Sequence, residues 1–346
     1  MSANSQPGQF GAIKDWLKTI QPNWLQKMGA QSNPLPESSG YAVNSGMQPL
    51  LLTTLGRTGS TFALGLLGCH PEIVVYKPFR VEARYISYWV QFYQQLKDHK
   101  SWTSPISSDN VADPTWLLGN AYRNEMDNAL YPEMRQWFDT NYVKSLQSFC
   151  AESLANHYLE VARIQQKPKP LFFAEKFLPN PFTEKVLEFL PGAREIFLVR
   201  DFRDMFCSIT AFNKKRGFEG FARDMFERDD DYVNKSLKPS ADMLLAAWEQ
   251  RKKDALLIRY EELVFDTESV LTAIFGELGL DNSSPTIKKV LETASKANIT
   301  KERHRTSVGP EQSIGRYRND LDDHMKSVCR DAFKNSLESF GYQVDD

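Results

Sequence analysis

Arg57, Gly59, Ser60 and Thr61 fall together in "TTLGRTGSTFALGLLGCH" (53–70), between an apolar run and a helical apolar pattern. A strand that passes through a tight turn into a helix aims several backbone N–H groups at one point, where the helix dipole favours negative charge. Gly56 and Gly59 let the backbone curl and approach a ligand closely. Ser60 and Thr61 add hydroxyls, and Arg57 adds a cation with a planar donor fork. This set suits an oxyanion such as phosphate or sulfate. An ATP-binding loop reads GxxxxGK[ST]. Here that spacing fails from Gly56, the basic residue precedes the second glycine, and no strand-end Asp stands out as a magnesium ligand. Taken alone, the turn is also what any glycine-containing strand–helix junction of an α/β protein looks like.

A second stretch, "EIFLVRDFRDMFCSITAFNKKRG", puts Arg200 at the end of an apolar run and Ser208 eight residues later. Eight residues span just over two helical turns, so the serine returns to the face near which the strand end emerges. The pair could hold a second phosphate, or could be an arginine capping a sheet edge beside a serine on a helix surface.

The elements that must carry these residues are legible as hydrophobic patterns. "PLLLTTL" (49–55), "EIVVY" (72–76), "LFFAEK" (171–176), "EIFLVR" (195–200) and "ALLIRY" (255–260) read as buried strands. Helical patterns at 60–69, 183–190, 202–212, 240–253 and 268–279 separate most of them. The alternation predicts an α/β fold, a parallel sheet flanked by helices. Residues 85–168 differ in texture, with Trp89, Trp102, Trp116 and Trp137 among polar residues, and read as a mostly helical insertion. Residues 1–48, rich in Ser, Gly, Pro and Asn, read as an arm or linker. Within them Phe10, Ile13, Trp16, Leu17 and Ile20 recur at the spacing of a short docking helix.

Composition bounds the partners. The 346 residues are 25% charged and 41% hydrophobic, with a formal net charge of -2. Such a balance gives no reason to expect a nucleic-acid or membrane partner, so any basic site must be local. No apolar run approaches the ~18–20 residues of a membrane span, and the N-terminus lacks a secretory apolar core. Cys69, Cys150, Cys207 and Cys329 lie far apart with no CxxC pair, so they read as reduced thiols of a cytoplasmic protein and not as metal ligands.

With both anion motifs in view, the chain resembles the sulfotransferases that use 3'-phosphoadenosine 5'-phosphosulfate (PAPS). Arg57, Thr58, Gly59, Ser60 and Thr61 match that family's [KR]-[ST]-G-[ST]-[ST] phosphosulfate turn position for position, with Phe62 next in line. "VRDFRDMFCS" is similar to the family's "VRDPRD" stretch, whose first arginine and following serine hold the 3'-phosphate; Phe202 replaces the proline. "RYEELVFDTESVLTAIFGELGL" looks like the "RYEDL" strand and helix, and "HRTSVGPEQSIGRYRNDL" like the C-terminal loop over the nucleotide. "FFAEKFLPNPF" resembles the strand end that presents a lysine to the sulfuryl group. The resemblance spans roughly 48–344 and is closer to the tyrosylprotein-like and bacterial members than to the cytosolic aryl enzymes. In the aryl enzymes a histidine follows the strand-end lysine by two residues, where this chain has Leu178.

The resemblance implies a sulfotransferase domain over 49–346 that carries the 85–168 insertion. It implies Arg57–Phe62, Arg200, Ser208, Tyr260, Ser307 and Arg316 as nucleotide contacts, although Arg316 and Arg318 serve equally well in helix-end salt bridges. Sulfuryl transfer, like phosphoryl transfer, needs cations where charge builds on the leaving oxygen, a role for Arg57 and Lys176 that requires no metal. The acceptor, a hydroxyl or less readily an amine of a small molecule or glycan, needs a base. Glu82 is the first candidate and His304 the second. Lys77 occupies the position where related enzymes carry a glutamate. That substitution keeps open a catalytically silent nucleotide-binding module, beside the alternative of a P-loop nucleotide kinase.

Overall fold

A computed structural model describes residues 46–76, 84–97, 132–180, 182–297, 306–307 and 309–344. Glu82, His304, Lys77, Trp102, Trp116 and the apolar set Phe10–Ile20 lie outside the described residues.

Five strands build one sheet: β1 (Gln48–Thr54), β2 (Ile73–Val75), β3 (Phe172–Phe177), β4 (Arg194–Val199) and β5 (Ala255–Arg259). All pairings are parallel and the order is β2-β3-β1-β4-β5. Every apolar run of the sequence reading therefore became a strand. Both faces of the sheet are covered, which is why these segments are continuous in Leu, Phe, Ile and Val and not alternating. The order of strand addition reverses at β1: β2 and β3 lie on one side of it, and β4 and β5 are added on the other. The carboxyl ends of β1, β3, β4 and β5 thus face one edge, the usual position of a ligand in an open α/β sheet.

Helices α1 (Ser60–Leu67), α2 (Tyr85–Lys97), α3 (Val143–Ile164) and α4 (Phe182–Phe189) accompany the first half. Helices α5 (Phe202–Arg216), α6 (Lys238–Arg251), α7 (Tyr260–Phe265), α8 (Thr267–Glu277), α9 (Ser284–Lys296) and α10 (Asp323–Ser339) follow. Helices α7, α9 and α10 are additions to the sequence reading. Leu50 and Leu52 of β1 point into the cluster under α1, α8 and α9, whereas Leu51 points into the one beneath α2 and α3. Phe197 and Val199 of β4 meet α5, α6 and α10 in a third cluster. The described part of the insertion is helical, with Trp89 of α2 against Phe149 of α3 at 6.0 Å between ring centroids.

Local chemistry sets the ends of α5, the helix that carries Ser208. The Asp201 carboxylate accepts the N–H of Arg203 at its N-cap, and Gly217 closes it at φ 75. All four cysteines are free, and Cys150, Cys207 and Cys329 are buried. No described helix is long and apolar enough to cross a membrane.

Candidate active site

The turn after β1 is laced to its neighbours by side-chain hydrogen bonds. Thr54 Oγ1 lies 2.6 Å from the Leu198 carbonyl of β4 and 2.5 Å from Thr58 Oγ1. The Thr58 hydroxyl also reaches the Leu55 carbonyl at 3.0 Å. Within this frame Arg57 and Gly59 both adopt left-handed backbone, at φ 63 and φ 91. Glycine accepts this freely, but for arginine it costs roughly 1–2 kcal/mol, a strain typical of residues held for function. The Gly59 carbonyl accepts the N–H groups of Phe62 and Ala63 and so starts α1. Gly59 offers no side-chain cap, and the first turn of α1 holds no acidic residue. No side chain of that first turn offsets its positive end.

Two guanidinium groups converge on this turn. Arg200 follows β4 and is buried, donating from Nη1 to the Arg57 carbonyl at 3.2 Å and from Nη2 to the Ser313 carbonyl. Its plane lies 4.8 Å over the ring of Tyr260, which begins α7 directly after β5. Arg200 makes no ion pair among the described residues, and its Nε–H is buried with no hydrogen-bond partner. Arg57 donates from Nε to Ser208 Oγ at 3.2 Å and stacks 4.2 Å from the ring centroid of Phe212. Burial, then the charge of Arg200, lowers the Arg57 pKa to about 10, with Arg216 and Arg316 adding to the effect. The guanidinium stays charged at neutral pH, the Tyr260 hydroxyl partly offsetting the neighbouring arginines.

The remaining sequence-selected residues take distinct places. Ser60 is buried, Thr61 is half-buried, and Phe62, within α1, packs against the core. Lys176 is 5% exposed at the penultimate position of β3 and pairs in register with Leu52. Phe172 and Ala174 of the same strand pack under α1, so alternation directs Lys176 to that face. The Tyr260 hydroxyl lies 3.4 Å from Ser313 Oγ. Ser307 donates to the Gly309 carbonyl at 2.7 Å. Arg316 pairs with Asp320 at 2.6 Å and reaches Thr306 at 3.3 Å. Arg57, Gly59, Arg200, Ser208 and Tyr260 are thus brought together, whereas Ser307 and Arg316 are bonded within their own loop.

Several members of this arrangement were absent from the sequence reading. Asp204 accepts the N–H groups of Gly315 and Tyr317, at 2.6 and 3.0 Å, and ties the C-terminal loop to α5. Burial, then the neighbouring Asp201, raises its pKa to about 6. Ser313 receives Arg200, and Phe212 backs Arg57. Beside Lys176, Glu175 points to the opposite face. There it accepts the hydroxyl of Tyr158 and the N–H groups of Tyr85 and Ile86 at the start of α2. Among the described residues no three His, Cys, Asp or Glu side chains gather as a metal site.

A family model described as "Sulfotransferase family" matches residues 49–284, and the chain belongs to that family. Its activity class is accordingly transfer of a sulfuryl group, and the parallel sheet with flanking helices is the α/β fold of sulfotransferases. No curated protein sequence matches the chain. Among solved structures, the sulfotransferase domain of the Synechococcus PCC 7002 olefin synthase is 18% identical, with TM-score 0.46, over 86% of this chain and 96% of that one. Mouse sulfotransferase SULT7A1 complexed with PAP is 12% identical, with TM-score 0.46, over 84% and 85%. Sulfotransferase STF9 from Mycobacterium avium is 15% identical, with TM-score 0.43, over 86% and 78%.

Proposed function

We propose that the protein transfers the sulfuryl group of PAPS to a hydroxyl of a small organic acceptor. The observation that carries this reading is Arg200. A guanidinium buried without an ion pair among the described residues, its Nε–H lacking an acceptor there, is costly unless an anion completes it. The second anion position is the uncapped start of α1, with Arg57 beside it. PAPS has two separate anionic groups, a 5'-phosphosulfate and a 3'-phosphate. In this reading the turn at 57–61 takes the first and Arg200 with Ser208 the second. The Arg57–Ser208 bond then links the two subsites.

During transfer the bond from sulfur to the bridging phosphate oxygen breaks, a bond from sulfur to the acceptor oxygen forms, and the acceptor proton passes to a base. Arg57 and Lys176 stabilise the charge that builds on the leaving phosphate. Glu82 is the proposed base and His304 the alternative; both lie outside the described residues.

Thermal unfolding tests the nucleotide assignment. The 3',5'-bisphosphate product should raise Tm without magnesium, because a ligand that binds only the native state stabilises it. ATP with magnesium should do far less. Equal stabilisation by ATP, with magnesium required, would move the protein to the kinase class.

A further inference from the structure

Asp204, in the first turn of α5, is a carboxylate only 1% exposed. Both of its oxygens go to backbone: Oδ2 accepts the Gly315 N–H at 2.6 Å and Oδ1 the Tyr317 N–H at 3.0 Å. Burial and then Asp201 oppose its charge, while nearby Arg200 and the two N–H groups favour it. A buried acid is a costly cap for the short helix Tyr317–Asp320, because an asparagine or serine can satisfy helix-end N–H groups with no charge to desolvate. What the charge adds is grip, since charge-assisted hydrogen bonds are roughly twice as strong as neutral ones.

Arg200 holds the same segment with the opposite polarity. Its Nη2 donates to the Ser313 carbonyl, two residues before the N–H that Asp204 accepts first. Its Nη1 donates to the Arg57 carbonyl, and the Tyr260 ring lies 4.8 Å from the guanidinium. With both Nη groups on carbonyls the fork has one orientation, and so has the buried Nε–H that lacks an acceptor among the described residues. One of those carbonyls belongs to the loop, whose place depends on its anchors. Arg203 of α5 stacks 4.0 Å from the Tyr317 ring at the far end, and the Tyr260 hydroxyl meets Ser313 Oγ at 3.4 Å. Between them Gly315 sits at φ 70, a joint with little restraint of its own, and the Asp204 carboxylate accepts its N–H.

We infer that Asp204 is the positioning residue of the proposed 3'-phosphate subsite: by holding Gly315 and Tyr317 it sets the Ser313 carbonyl, and through that carbonyl the direction in which Arg200 offers its Nε–H. This rests on the nucleotide reading of Arg200. It also reverses the sign expected from charge, because the field of an aspartate near Arg200 by itself weakens the hold on an anion.

Calorimetric titration of the full chain with the 3',5'-bisphosphate, at pH 8 and without magnesium, decides between grip and field. Asp204→Ala removes the charge and both acceptors. Field alone predicts tighter binding, whereas positioning predicts an affinity lower by roughly tenfold or more. In an Arg200→Lys background, which has no fork to aim, the same substitution should cost less than about threefold. Asp204→Asn keeps the shape and one acceptor, and covers the case in which the alanine variant does not fold; its affinity should fall by about threefold or more. Affinity at or above that of the wild type in the folded variants, or losses that add fully to that of Arg200→Lys, would overturn the inference. A wild-type protein that fails to bind the bisphosphate would refute the nucleotide reading, and the positioning role is then read without ligand. Water exchange of the Arg200 Nε–H, followed by proton–nitrogen NMR and assigned by its loss in Arg200→Lys, should be faster by about tenfold in the Asp204 variants. Equal exchange would overturn the inference in its turn.

Discussion

Gly59 and Tyr260 occupy one space. A Cβ at position 59 would stand 2.3 Å from Cδ2 and 2.4 Å from Cε2 of the Tyr260 ring. Tyr260 in turn is held under the Arg200 guanidinium. The turn after β1 is thus shaped by an aromatic ring delivered from the end of β5, and the glycine is required by contact as well as by its φ of 91°.

Gly59→Ala should accordingly lower stability by about 2–5 kcal/mol, the sum of a left-handed alanine and an overpacked ring. Pairing it with Tyr260→Ala removes the clash but leaves the backbone strain. In denaturant unfolding the double variant should therefore lose less than the sum of the two single losses. Strict additivity would mean that the ring yields without cost.

Arg200 binds two loops through its own Nη groups, so Arg200→Ala should cost stability as well as nucleotide affinity. Arg200→Lys keeps the charge but not the fork. It should weaken bisphosphate binding by one to two orders of magnitude, corresponding to loss of a charge-assisted bond worth ~1.5–3 kcal/mol. Wild-type affinity in the lysine variant, measured by calorimetry without magnesium, would remove Arg200 from the site.

Much of this was legible in sequence because covered strands are written as unbroken apolar runs. "PLLLTTL" and "EIFLVR" announced β1 and β4, and the residues just past them supplied the two proposed anion positions. What was hidden depends on pairs distant in the chain. Nothing near Gly59 in sequence points to a ring 201 positions later, and nothing near Asp204 points to the N–H groups of Gly315 and Tyr317. The left-handed pair Phe221–Ala222 carries no glycine or asparagine to betray it, since tertiary contacts and not local preference hold it. In "LFFAEKF" the adjacent Glu175 and Lys176 look equivalent, yet strand alternation sends one toward α2 and the other toward α1.

That alternation gives Glu175 a pH signature. Burial raises its carboxyl to about 8, against the hydrogen bonds from Tyr158 and the N–H groups of Ile86 and Tyr85. Because the folded pKa lies above the unfolded one, the native state binds more protons between about pH 4.5 and 8. The contribution to stability is complete below that window and is lost as pH rises through it, at up to ~1.4 kcal/mol per pH unit. Glu175→Gln keeps an acceptor for the α2 N–H groups and cannot ionise. Its unfolding free energy should decline less than that of the wild type between pH 5 and 8.5. Parallel curves for the two proteins would show that Glu175 is ionised in the fold at neutral pH.

Lys176 and the acceptor base should be separable by kinetics. Lys176 is proposed to act on charge that appears on the leaving phosphate in the transition state. Lys176→Ala should then lower turnover by ~10²–10³ while changing bisphosphate affinity far less. The side chain is nearly buried, so Lys176→Met, which preserves its length and apolar stem, serves as the control for packing. The methionine variant should restore stability but not rate. Glu82→Gln should cost a general-base factor of ~10²–10⁴, and that loss should shrink with acceptors whose hydroxyl is already acidic. The Lys176 defect should persist across the same acceptors, because the leaving group is unchanged. Recovery of the Lys176 variants on acidic acceptors would place the lysine on the acceptor side instead. Full turnover by Glu82→Gln on an unactivated alcohol would pass the base role to His304, with His304→Ala the next variant to measure.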